Sequence, residues 1–395
     1  MKENIPKIRF RCFSHAWEQR KLGEVTENFE YGLNASATKY DGKNKYIRIT
    51  DIDEATRSFK MNALTSPDTK LIDADNYKLQ EGDVLFARTG ASVGKTYRYS
   101  KKDGLVYYAG FLIKARVKPE FDVEFVFQNT LTGTYGNFIS ITSQRSGQPG
   151  VNAQEYANFK FFLPIKDEQT KIGAFLKQLD DTISLNNRKY DALKQLKSGY
   201  LAQIFSQNLR FSGYFGEWEV RRLGEFINFL NGKAYRQVEL LNKGKYRVLR
   251  VGNFNTNDKW YYSDLELEEE KYAKKGDLLY LWATKFGPEI WKEEKVIYHY
   301  HIWKLVINEK CINKFYLYTW LETDKERIKQ DTNGSTMIHV TKDSMEKREF
   351  QFPNFEEQDK IATFFNQLDL LISKQQIKVS ALKKIKQAYL QKLFI

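Results

Sequence analysis

The sequence predicts an α+β protein in which two α/β lobes, copies of one frame, alternate with two long helices that pair as a coiled coil. Three observations carry this. Segments recur in the same order at offsets near 200. The strongest recurrence falls in two stretches that each read as one long helix, and between the shared segments the halves scarcely match.

The repeat starts at Arg9, where RFRCFSHAWEQRKLGEV is answered by RFSGYFGEWEVRRLGEF from Arg210. Next, KYIRI at Lys45 is set against KYRVL at Lys245, and GDVLF at Gly82 against GDLLY at Gly276. Strands are expected at 46–52, 84–88 and 110–117 in the first copy, and at 246–251, 278–282 and 296–307 in the second. Short helices are expected at 123–132 and 313–322. The last pair of segments, Phe161 to Phe205 and Phe350 to Phe394, is identical at roughly 20 of 45 positions without a gap. In each, the helix is expected to begin after a proline, Pro164 or Pro353. Asp167 suits an N-cap in the first, and Asn354 with Glu357 suggests a capping box in the second.

Along these two segments apolar residues keep heptad spacing. The first gives Leu179, Ile183, Tyr190, Leu193, Tyr200 and Ile204, and the second gives Leu368, Ile372, Val379, Leu382, Tyr389 and Leu393. Polar members interrupt both at matching places, Asn186 and Lys197 against Gln375 and Lys386. Buried polar residues in such a seam set register. The resulting division is 1–160, 161–208, 209–349 and 350–395.

With 395 residues, 42% hydrophobic, the chain can bury sizeable cores. No apolar run is long enough to cross a membrane. The charged N-terminal stretch has no apolar core, so no secretory signal is expected. Two cysteines, Cys12 and Cys311, with no CxxC suit a reducing cytoplasm and argue against a thiolate zinc site. The net charge of +13 and the 15% aromatic content suit a polyanionic partner such as nucleic acid. An AT-rich genome would inflate Lys, Asn, Tyr and Phe in the same way. About nine of the thirteen excess charges lie outside the long helices, so phosphate contact falls to the lobes.

The sequence carries few signs of catalytic chemistry. GDVLFARTGASVGKTY, from Gly82, looks like a phosphate loop, but only three residues separate Gly90 from Gly94, and the following KTYRYS alternates like a strand. The second copy has no Gly-Lys at all. A strand, a glycine turn and a strand is the better reading, with Arg88, Thr89, Lys95 and Arg98 carried outward. The sequence motifs of methyltransferases are absent. PEIWKEEK, from Pro288, is too tightly spaced for a metal nuclease, and His299 with His301 has no acidic cluster beside it.

The duplicated W-E-x-R-x-L-G-E, the G-D-[LV]-L strand, the TGASVGK turn and the P-x-x-x-E-Q-x-K-I start of each long helix together resemble the specificity subunits of type I restriction–modification systems. SQRSGQPGVNAQEY, from Ser143, resembles the family's segment before the helix, whereas its second copy from Asn333 has lost the Gln-Pro-Gly. The resemblance covers essentially the whole chain. It implies two target-recognition domains, each reading part of a bipartite, non-palindromic site on double-stranded DNA, with the long helices antiparallel as a spacer. It also implies docking of methyltransferase subunits, expected as two, and of restriction/translocase subunits. The chain would then be non-catalytic, cytoplasmic and free of cofactor and metal, with S-adenosylmethionine, ATP and Mg on the partners.

Which residues touch DNA is a matter of chemical type: Arg reads guanine, and Asn or Gln reads adenine. The candidates in the first lobe are Arg88, Thr89, Lys95, Arg98, Gln144, Arg145, Ser146, Gln148 and Asn152. Those in the second are Asn253, Asn255, Asn257, Lys259, Lys285, Ser335 and His339. Each is equally readable as a solvated loop residue, and Trp260, Trp282 and Trp291 as core. Three other functions remain open: recognition in a related defence system, a self-contained nuclease or methylase, and a coiled-coil adaptor. An enzyme would need a carboxylate cluster and metal; an adaptor would lack salt-sensitive DNA affinity.

Overall fold

The computed structural model describes residues 4–145, 147–254, 257–283, 286–331 and 340–395. The chain divides into two compact units. One comprises Met1–Lys189 with Gln375–Ile395, and the other Tyr190–Lys374. Each contains the same frame.

In the first unit a four-stranded antiparallel sheet has the order Thr26–Tyr31, Leu112–Val117, Asp83–Ala87, Thr96–Arg98. In the second the order is Ile227–Asn231, Ile302–Ile307, Leu278–Leu281, Gly287–Ile290. A parallel pair stands beside each sheet: Lys45–Ile47 with Val106–Tyr108, and Tyr246–Leu249 with Val296–Tyr298. A two-stranded ribbon leads into each long helix, Glu18–Lys21 on Lys160–Leu163 and Glu219–Arg222 on Glu349–Phe352. The frame therefore repeats as the sequence indicates, with several corrections.

The expected strand 296–307 is two strands, because the chain turns at 299–301 and passes from one sheet to the other. Strands 46–52 and 246–251 are cut short by 3-10 turns at Ile49–Asp51 and Val251–Phe254. The helix expected at 313–322 runs on as Lys314–Asp331. The pairing of KYIRI with KYRVL is also off by two: Ile47 pairs with Tyr108 where Leu249 pairs with Tyr298, so Arg48 corresponds to Arg250. A slip of two keeps every side chain on its face, so the pattern alone could not reveal it.

The long helices are Lys166–Phe205 and Phe355–Leu393. Asp167 is not the N-cap. It lies inside the first turn, and the amides of Glu168 and Gln169 go to the carbonyl of Ile165. Asn354 does cap its helix, accepting from Glu357 N at 2.9 Å, but the Glu357 carboxylate turns away to Arg210. Arg210 and Arg9 make the same bond, a two-pronged grip on Glu357 and Glu168, both 0% exposed.

Every seam residue from Leu179 to Ile204 and from Leu368 to Leu393 is buried or half-buried, while Leu185, Leu196, Ile377 and Ile385 on other faces are exposed. Within the first unit Phe175 meets Tyr389 at 4.8 Å, Lys386 meets Asp180 at 2.6 Å, and Gln375 Nε2 donates to Asn186 Oδ1 at 2.9 Å. Rising numbers meet falling ones, so the two helices of the pair run antiparallel. The second unit holds the counterpart contacts, Tyr200 on Phe364 at 5.1 Å and Lys197 on Asp369 at 2.6 Å. Each ion pair also engages the lobe, through Gln128 on Asp180 and Glu322 on Lys197.

The core of each unit runs from lobe to helix. Trp17 packs edge-on against Phe125 and Phe394, and Trp218 against Tyr316 and Phe205. In the second unit the chain passes from helix to lobe through a bond from Leu209 N to Gln203 O, at 3.1 Å. In the first the same bond joins Ile8 N to Lys392 O, at 3.0 Å, between residues far apart in the sequence. Ile8 therefore meets the end of the second long helix as Leu209 meets the end of the first.

Candidate nucleic-acid interface

One end of the four-stranded sheet in the first unit gathers most of that unit's recognition candidates. In the first unit Tyr31, Arg88, Phe111 and Lys95 stand at that end, because their strands finish or begin there. The segment 144–152 is stitched onto it: Gly90 N donates to Pro149 O, and Val151 N to Arg88 O, both at 2.9 Å. The turn itself is a strand, a 3-10 turn at Gly90–Ser92 and a strand, with Gly90 and Gly94 at φ +70° and +82°. Those angles favour glycine, and no helix follows to hold a phosphate.

Four candidates are exposed or half-exposed here without a carboxylate partner: Arg88, Thr89, Gln144 and Gln148. The Arg88 guanidinium lies 4.9 Å from the centre of the Tyr31 ring, while Phe111 is 60% exposed beside it. Lys95 and Arg98 do not point outward. Lys95 pairs with Glu54 at 2.6 Å and Arg98 with Glu124 at 2.7 Å; both cationic side chains are largely covered, whereas Glu54 is exposed. Burial pushes the Glu124 carboxyl up, and Arg98 opposes that. Two more candidates have local work. Arg145 is paired with Glu155, and Asn152 caps the short helix Ala153–Ala157 in a full capping box. Ser146 lies outside the described residues.

In the second unit Asn255, Lys285, Ser335 and His339 lie outside the described residues. Asn253 is spent on its own loop: it accepts from Arg250 N and donates to the carbonyls of Asn257 and Lys259. Asn257 accepts from Lys259 N at 3.1 Å, and both side chains are exposed. Trp291 is core, whereas Trp260 and Trp282 are only half-buried.

His299 and His301, too poor in acidic neighbours for a metal pair, occupy the matching end of this sheet with Tyr300 and with Trp282, which the sequence reads as core. The turn 299–301 is held by the same hydrogen bonds as 109–111. His299 N reaches Leu249 O at 2.9 Å as Ala109 N reaches Ile47 O at 3.0 Å. Tyr300 N reaches Lys233 O at 3.1 Å as Gly110 N reaches Leu33 O at 2.9 Å. Gly32 and Gly232 let the neighbouring strand come this close; a Cβ there would sit 2.2 and 2.4 Å from backbone carbonyl oxygens. On this constant frame Ala-Gly-Phe is exchanged for His-Tyr-His, Tyr31 for Asn231, and Arg88 for Trp282. Desolvation, with the charges of His301 and Arg250, pushes the His299 imidazole down to about 4, so it is neutral at physiological pH.

Among the described residues no three His, Cys, Asp or Glu side chains converge as metal ligands. No helix there is long and apolar enough to cross a membrane.

The family described as "Type I restriction modification DNA specificity domain" matches residues 15–195 and again 216–383. The specificity subunit of the type I restriction enzyme MjaVIII from Methanocaldococcus jannaschii is 28% identical over 179 residues, 45% of this chain. That match spans 42% of the relative's length. Among solved structures, the type I restriction–modification S subunit from M. genitalium has a TM-score of 0.65 at 15% identity, covering 99% of both chains. A chain from a study of complex assembly and conformational transition in a type I R-M system has a TM-score of 0.56 at 18% identity, covering 95% of this chain and 97% of that one. These likenesses support the fold.

Proposed function

We propose, from the premise that this chain belongs to the family of type I restriction modification DNA specificity domains, that it is the DNA-recognition subunit of a type I restriction–modification complex. One observation supports the reading above others: the two units hold the same backbone frame and present unlike side chains at the same sheet end. Like frames with unlike readers suit a site of two different halves, each read by one target-recognition domain.

The chemistry belongs to partners on this reading. S-adenosylmethionine would sit on two methyltransferase subunits, and ATP and Mg on restriction/translocase subunits, with the whole complex cytoplasmic. Leu185, at 67% exposed, Ile377, at 65%, and their neighbours on the outer faces of the long helices offer apolar surface for docking. This chain contributes the reading and the spacing.

Spacing gives the test. A helix of 40 residues is about 60 Å long at ~1.5 Å per residue, more than one DNA turn of ~34–36 Å. One heptad inserted after Asn186 and one after Gln375 keeps the seam in register. It adds about 10 Å of helix, which at ~3.4 Å per base pair should lengthen the unread gap of the methylated site by up to about 3 base pairs. An unchanged gap, mapped in cells carrying the lengthened protein, would refute the spacer.

A further inference from the structure

The corrected register places two arginines at one position of the frame and gives them different partners. In the first unit Arg48 is locked: its Nε donates to Asp51 Oδ2 at 2.8 Å and its Nη2 to Asp51 Oδ1 at 2.9 Å. The backbone N–H of Arg48 also goes to Asp51. In the second unit Arg250 N makes the equivalent bond, to Asn253 Oδ1 at 3.0 Å. The carboxylate has become an amide, and the amide nitrogen is already held by the carbonyls of Asn257 and Lys259. Nothing remains for the guanidinium. Among the described residues the Arg250 side chain makes no hydrogen bond and no ion pair, and its Nε is buried without a partner. It lies half-buried, 4.2 Å from the centre of the Tyr261 ring, a contact that leaves its donors unused.

Its place matters as much as its freedom. Leu249, the residue before it, takes the amide of His299, so Arg250 stands beside the turn 299–301. That turn carries exposed Tyr300 and half-buried His299 and His301 at the end of the sheet where the two units differ most. A cation left unpaired in a half-buried place is costly, and proteins normally satisfy it. A planar guanidinium with its fork of donors free is suited to the O6 and N7 edge of guanine.

We propose that Arg250 is the base-reading side chain of the second unit, a guanidinium released by Asn253 from the carboxylate that holds Arg48, and that it takes the major-groove edge of a guanine in one half-site. This rests on the reading of the chain as a DNA-specificity subunit. In the first unit the same position is silenced by Asp51, and reading falls to Arg88 and its neighbours.

The test uses the full chain with its methyltransferase partner, mapping methylated sites for the unaltered protein, Arg250→Ala, Arg250→Lys, Asn253→Asp and Arg48→Ala. If the unaltered protein directs no two-part motif, the proposed function fails, and this inference with it. Given a motif, Arg250→Ala should relax one G·C pair in one half by about 10-fold or more and leave the other half unchanged. Arg250→Lys should not restore it, since lysine lacks the fork. Asn253→Asp, which recreates the locked pair, should relax the same base pair. Arg48→Ala should alter neither half. Uniformly weaker methylation with an unchanged motif would make Arg250 a phosphate contact and overturn the assignment. An unchanged motif at full strength would do the same. Loss of assembly by both Arg250→Ala and Arg250→Lys would also count against it, because a guanidinium with no hydrogen bond or ion pair among the described residues should not be needed for folding.

Discussion

Replacing residues 210–349 with the matching part of a relative is expected to change one half of the DNA site completely and leave the other half intact. The expectation follows from how the second unit is built. Its sheet end is held by backbone hydrogen bonds that recur in the first unit, so the frame does not depend on which side chains it presents. The boundaries of the exchange also fall on repeated features. Arg210 must still grip Glu357, and the strand Glu219–Arg222 must still pair with Glu349–Phe352. A graft that keeps an arginine at 210 and the apolar residues facing Phe350 and Phe352 should therefore seat on the long helix. The effect should be large, because specific DNA binding typically exceeds non-specific binding by roughly 10³–10⁷-fold. Methylation at the old site should fall to background and a new hybrid site should appear. Changes in both halves would show that the units do not read separately.

The second large effect is on assembly. Lys197→Glu together with Lys386→Glu should lower the melting midpoint by roughly 5–10 °C, measured by calorimetry, and weaken capture of the methyltransferase partner. Each lysine side chain is about 14% exposed or less and is neutralised by a carboxylate of the opposite helix. Lys197 answers two, Asp369 and Glu322, and their charge raises its pKa although desolvation pulls the other way. Breaking a buried pair costs about 3–5 kcal/mol, less where a partner is part-exposed, as Asp369 is. For units near 200 residues each kcal/mol is worth about 2–4 °C. The reversal would also set glutamate against Asp180 and Asp369. A combined variant with Asp180→Lys and Asp369→Lys should recover much of the loss. Normal stability of the double glutamate variant would show that the seam tolerates charge of either sign.

The legible part of this molecule was what repeats. Trp17 and Trp218, Arg9 and Arg210, and the heptad residues of the long helices appear twice because the frame needs them twice, and the offset between copies exposed them. The seam was readable because its period is local. The recognition surface was less so, for three physical reasons. Lys95 and Arg98 looked free beside a glycine turn, yet their carboxylate partners, Glu54 and Glu124, come from distant parts of the chain. Asn152 and Asn253 had the right type for adenine, but the backbone claimed them for capping and loop closure, the commonest use of asparagine at such places. Arg250 is hidden in the sequence because the two Lys-Tyr pairs, placed opposite each other, set Arg48 against Val248. Only the strand register brought the two arginines together.

The central claim is that two unlike readers on one repeated frame specify a split site. It is tested most directly by sequencing native DNA from cells with and without this gene and comparing methylated adenines. One motif should vanish with the gene, made of two dissimilar defined halves around a gap of fixed length and undefined sequence. A palindromic motif, a single continuous one, or no difference between the two strains would contradict the account.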